Sequence, residues 1–126
     1  MTPYLIDSIV DADNQVVRTN SPTDAGRPIS SETASKLRAM MESVVSQPYG
    51  TGTTMALPNV PVAAKTGTAE TGNGDRANAW AVGFAPADSP RIAFAVLVEG
   101  DDTNPTPHGG DVAGPIARAL LETGLQ

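Results

Sequence analysis

Lys65 is one of only two lysines in the chain, and it stands in VPVAAKTGTAETG, an otherwise small and apolar run. Thr66, Gly67 and Thr68 follow it directly. Three chemistries compete for this arrangement. A phosphate loop needs Gly, four residues, then Gly-Lys-Ser/Thr. Here the two glycine positions hold Asn59 and Ala64, so the backbone cradle is missing. A lysine exposed on an edge strand blocks edge-to-edge aggregation, which is the usual role of a lysine beside small residues. The third chemistry is the handling of an anion and an acyl group. Lys65 would supply a fixed positive charge, and Thr66 and Thr68 would offer hydroxyl donors to a carboxylate. Gly67 has no Cβ, so a ligand can approach the strand closely. The strand edge can pair with an extended peptide, and the Thr68 N–H is then placed to help hold a developing oxyanion.

Those residues need a strand, and the neighbouring sequence predicts one. Pro58 and Pro61 favour extended backbone at its entry. Strands are expected over about 62–69, 78–85 and 91–99, the last two joined by the turn PADSP. In AWAVGFA, Trp80, Val82 and Phe84 share one face, and Ala79, Ala81, Gly83 and Ala85 share the other. Ile92, Phe94, Val96 and Val98 alternate with Ala93, Ala95 and Leu97. Apolar residues on both faces predict a sheet covered on both sides, with Trp80 in the core. The short loops make the three strands an antiparallel meander.

The flanking segments predict helices. Ser30 or Ser31 suits an N-cap and Glu32 suits a positive first turn. Ala34, Leu37, Met41, Val44 and Val45 recur at helical spacing until Pro48 and Gly50, giving a core-packed helix over about 31–46. GGDVAGPIARALLETGLQ predicts a last helix over 110–124, capped by Asp111, with Pro115 in its first turn. Its stripe of Ala113, Ile116, Ala117, Leu120 and Leu121 would cover one face of the sheet. Nearer the N-terminus, residues 4–10 and 15–19 flank DADN and read as a hairpin, within a 1–28 hairpin-and-loop segment. The fold class is therefore α+β, an antiparallel sheet covered by helices.

Composition narrows the partners. The 126 residues carry a net charge of −6, which argues against broad nucleic-acid binding. There are no cysteines, which excludes disulfides and thiolate metal sites. No run of 18 apolar residues occurs, and the N-terminus has neither a basic segment nor a long apolar one, so no membrane span and no signal peptide are expected. His108 stands alone as a histidine, and Asp101, Asp102 and Asp111 lack the spacing of a calcium loop, so no metal and no cofactor are expected. Glu70 and Asp75 read as exposed, with the 71–76 loop available to rim a groove.

The run AAKTGTAE resembles the Lys-Thr/Ser-Gly motif of serine penicillin-recognising enzymes. Around it, GTGTT (50–54), ANAWAVGFAP (77–86), PRIAFAVLVEG (90–100) and GGDVAGPIARALL (109–121) stand in the order and spacing of the transpeptidase domain of class B penicillin-binding proteins. The resemblance covers nearly the whole chain and is strongest to the actinobacterial PbpA-like type. It implies a penicillin-binding transpeptidase or serine β-lactamase-like fold. The family cross-links peptidoglycan: a serine attacks a D-Ala-D-Ala stem peptide, releases D-alanine and passes the acyl group to an amine. β-Lactams acylate the same serine. Carried over, Lys65 joins the catalytic cluster, Thr66 and Thr68 meet the substrate carboxylate across Gly67, and the Thr68 N–H is half of the oxyanion hole. The domains of this family work outside the cytoplasmic membrane.

The resemblance stops at the nucleophile. The family needs Ser-x-x-Lys and Ser-x-Asn. With only Lys36 and Lys65 available, the residues three before them are Thr33 and Val62, and no serine has an asparagine two residues later. In the family these motifs precede the segment that begins here at Met1. The chain is therefore expected to be the C-terminal part of such a domain, 1–126, inactive alone and lacking the helical part that faces its sheet. A stand-alone peptide- or protein-binding remnant and a fragment of a β-lactamase-like hydrolase are the alternatives. Surfaces that the absent part would cover are expected to leave the chain marginally stable or self-associating.

Overall fold

The computed structural model describes residues 2–72 and 74–126. The chain divides into two compact units, Met1–Thr33 and Ala34–Gln126.

The first unit is built on a hairpin. β1 (Ser8–Val10) pairs antiparallel with β2 (Val16–Thr19), with Ile9 opposite Arg18. The turn is held by Asp11, whose Oδ1 accepts the N–H groups of Asp13 and Gln15, each at 2.9 Å. Asn14 takes the left-handed conformation at φ 60°, which asparagine tolerates better than most residues. Every residue of both strands is exposed.

α1 (Ser31–Ser46) opens at Ser30, whose Oγ accepts the Thr33 N–H at 3.1 Å. That settles the choice between Ser30 and Ser31 as N-cap. The expected core stripe forms only at the end of the helix, where Met41 and Val44 are half-buried. Only Val45 is buried, while Leu37 is exposed and Met40 is 61% exposed. The helical period is present in the sequence, but no element of the second unit lies against the helix's earlier turns.

The second unit holds the sheet. β3 (Ala63–Glu70), β4 (Ala77–Ala85) and β5 (Ile92–Glu99) form an antiparallel meander in the order β3-β4-β5. Lys65 lies opposite Val82, Thr66 opposite Ala81, Gly67 opposite Trp80 and Thr68 opposite Ala79. Ala81 in turn lies opposite Val96, and Trp80 opposite Leu97. Small residues of β4 thus share a face with large residues of β5. On that face a five-residue π-helical turn (Gly109–Ala113) and α2 (Gly114–Gly124) close the core. Ala64, Ala81, Ala85, Val96, Ala113, Ala117 and Leu121 pack there with Val45, Met55 and Val62.

Two expectations fail at this point. The other face of the sheet is not covered: Trp80 is 36% exposed, Val82 37% and Leu97 43%. Trp80 is therefore not a core residue among the described residues. α2 buries Gly114, Ala117 and Leu121, while Ile116 and Leu120 are exposed. A single helix over a three-strand sheet has one line of contact, and Ile116 and Leu120 lie off it.

The last helix also begins differently from the expected 110–124. Residues 109–113 wind as a π turn before α2, and Pro115 sits in the first turn of α2. No side chain caps either segment, so Asp111 is not an N-cap.

Candidate functional site

β3 is an edge strand, and its residues form one wall of an open groove of about 440 Å³. The wall consists of Lys65, Thr66, Gly67 and Thr68, with Thr51 beside it. The opposite wall is His108, Gly109, Gly110 and Asp111, from the π turn and the residue before it. All four residues singled out in the KTG run therefore line one space. The 71–76 loop does not line it, and Asn73 within that loop lies outside the described residues.

The groove is held in shape by the glycine-rich loop after α1. The Thr51 hydroxyl lies 2.6 Å from the Thr66 hydroxyl. Thr54 Oγ1 donates to the Gly110 carbonyl at 2.7 Å. The loop thus ties one hydroxyl to each wall. Thr66 is only 8% exposed, and its hydroxyl is paired with that of Thr51 where the two line the groove. Lys65 is exposed on the strand, and its Nζ donates to the Thr66 carbonyl.

Gly109 fixes how closely the two walls approach. A Cβ there would sit 2.2 Å from the Trp80 carbonyl oxygen and 2.7 Å from that of Gly67. Only glycine lets the turn rest on the backbone of β3 and β4. Gly67 is different: a Cβ there would meet only the Trp80 Cβ, at an ordinary 3.6 Å. The protein itself has room for a side chain at 67, so the need for glycine there would have to come from a ligand.

Spacing within the KTG run located one wall. Thr51 and Gly109 are visible in the sequence only as parts of longer matching segments, Asp111 reads as a helix cap, and His108 reads as a loop residue. Nothing local in TPHGGD signals a groove, because its partner strand lies about forty residues earlier in the chain. Among the described residues no group of three or more His, Cys, Asp or Glu side chains could hold a metal ion.

A hollow of similar size beside the hairpin is lined mainly by Pro3, Tyr4, Leu5, Ile6 and Ile9, and it brings together no set of groups that suits acyl chemistry.

The family model described as penicillin binding protein transpeptidase domain matches residues 1–122. The chain is 39% identical over 131 residues to the peptidoglycan D,D-transpeptidase PbpA of Mycobacterium tuberculosis, spanning 100% of this chain and 26% of that protein. It is 37% identical over 131 residues to PbpA of Mycolicibacterium smegmatis, with the same shares. The solved structure of penicillin-binding protein A from M. tuberculosis in its ceftriaxone acyl-enzyme complex matches with a TM-score of 0.73 at 36% identity, covering 98% of this chain and 28% of that one. The chain thus spans about a quarter of the length of these curated relatives.

Proposed function

This chain belongs to the penicillin-binding protein transpeptidase family, and from that premise we propose that its groove is the substrate-binding wall of a peptidoglycan D,D-transpeptidase site. The observation that carries this is the placement of Lys65, Thr66, Gly67 and Thr68 together on an edge strand facing a groove. An acyl-D-Ala-D-Ala peptide, or a β-lactam, lies along the free edge of β3 as an added strand. Its carboxylate meets the hydroxyls of Thr66 and Thr68 and the charge of Lys65. Its scissile carbonyl points at the Thr68 N–H, which stabilises the oxyanion as it develops.

The 126 residues contain no Ser-x-x-Lys and no Ser-x-Asn. The chain alone therefore binds and does not react, since removing the nucleophile from a cooperative cluster leaves little catalysis. The partners of the complete site are the stem peptide and the segment carrying the nucleophile, and the site works outside the cytoplasmic membrane. Among the described residues no helix is long and apolar enough to cross a membrane.

Two experiments test this reading. In an NMR titration of the labelled chain, N-acetyl-D-alanyl-D-alanine should move the amide signals of Lys65, Thr66, Gly67 and Thr68, and silence there would refute the groove assignment. Intact-mass measurement after β-lactam exposure should find the unmodified mass. A covalent adduct on a serine of this chain would overturn the claim that it lacks a nucleophile.

A further inference from the structure

The groove carries opposite charges on its two walls. Lys65 lines the β3 side and Asp111 lines the π-turn side. They do not pair with each other: Lys65 Nζ is turned to the Thr66 carbonyl, and among the described residues Asp111 has no ion-pair partner. The Asp111 side chain caps neither the π turn nor α2, so the local backbone does not account for its carboxylate. It is also exposed, which leaves it available to a ligand.

An acidic side chain is a poor neighbour for a ligand that is only an anion. A carboxylate seated against Lys65, Thr66 and Thr68 would be repelled by Asp111, which lines the same groove. The same residue becomes favourable if the ligand also carries a cation on that side. We propose that Asp111 is a specificity residue for a primary ammonium, so that the groove takes a dipolar peptide. The ligand's carboxylate sits on the KTG wall and its amine faces the π turn. This rests on the carboxylate-binding reading of the KTG wall and adds the class of ligand that the second wall selects.

Paired probes separate this idea from general damage to the groove. One is Nα-acetyl-L-lysyl-D-alanyl-D-alanine, with a free ε-ammonium. The other is the same peptide with that amine acetylated. Binding is followed by NMR on the intact chain. The unaltered chain should prefer the free ammonium by about two- to five-fold, the range expected for one exposed charge pair in a solvent-filled groove. Asp111→Asn should weaken binding of the ammonium peptide and tighten binding of the acetylated one, abolishing the preference. Structural damage would weaken both, so opposed signs identify the charge.

A second measurement needs no variant. The preference should shrink as sodium chloride rises from low salt to 0.5 M, because salt screens exposed pairs (the Debye length falls to about 3 Å near 1 M). Equal binding of the two probes to the unaltered chain overturns the proposal and leaves the KTG wall standing. So does a preference that survives Asp111→Asn. If neither probe moves the β3 signals, the carboxylate reading itself fails, and the ammonium site falls with it.

Discussion

One face of the sheet sinks Ala64, Ala81 and Val96 under α2, while the other leaves Trp80, Val82 and Leu97 partly in water. The side chains on the open face are the larger ones on β4. Burial here does not follow side-chain hydrophobicity. It follows whether a covering element exists within the chain: α2 supplies one cover, and α1 exposes most of its own apolar positions.

The contrast between the faces can be broken or sharpened by substitution. Leu121→Ala removes a fully buried side chain of the closed face and should cost about 2–5 kcal/mol, read from urea unfolding. Gly109→Ala forces a methyl against the backbone carbonyls of Trp80 and Gly67, atoms that cannot rotate away, and should cost about 1–3 kcal/mol. Gly67→Ala should change stability by less than about 1 kcal/mol, since its new Cβ meets nothing closer than 3.6 Å. Peptide binding should fall in that variant, because the space belongs to the ligand. An unchanged affinity would remove the reason for glycine at 67.

On the open face, Val82→Thr and Leu97→Gln should each stay within about 0.5 kcal/mol in the isolated chain. They should also reduce any concentration dependence of the thermal transition. A loss as large as that of Leu121→Ala would mean that the open face is covered in solution, by a second copy of the chain.

The smallest effect lies in the loop after β5. The Asp101 carboxylate is held below its ordinary value of 3.8 by the Thr103 hydroxyl and the N–H groups of Asn104 and Thr103. The lowered value means that this capping is complete above pH 3.8 and is lost as pH falls through the folded-state value. The Thr103 and Asn104 amide shifts should follow that titration, and Asp101→Asn should abolish it. The group is fully exposed, so the effect stays local to the loop.

Much of the architecture was legible in the sequence. Alternation in 77–99 marked two strands, and the turn-forming PADSP joined them as an antiparallel pair. Helical spacing between Ser30 and Pro48 marked α1 with its bounds, because the cap and the breaker are local signals. That Lys65 to Thr68 line one groove was legible too, since they are consecutive on one strand. The second wall was not. Asp111 looked like a helix cap, because aspartate before an apolar period ordinarily is one. Here the chain winds a π turn first, so the backbone N–H groups are not presented to its side chain.

The sequence alone determined what depends on neighbours along the chain: helix starts and stops, strand alternation, and the four consecutive residues Lys65 to Thr68 on one strand. Tertiary structure decided what depends on neighbours in space. It chose which sheet face is dry, placed Gly109 on the backbone of β3 and β4, joined the Thr51 and Thr66 hydroxyls, and brought Asp111 and Lys65 to line one groove. Those outcomes turn on contacts between segments tens of residues apart. Local propensity is blind to them, because the free energy of such contacts appears only once the elements have packed.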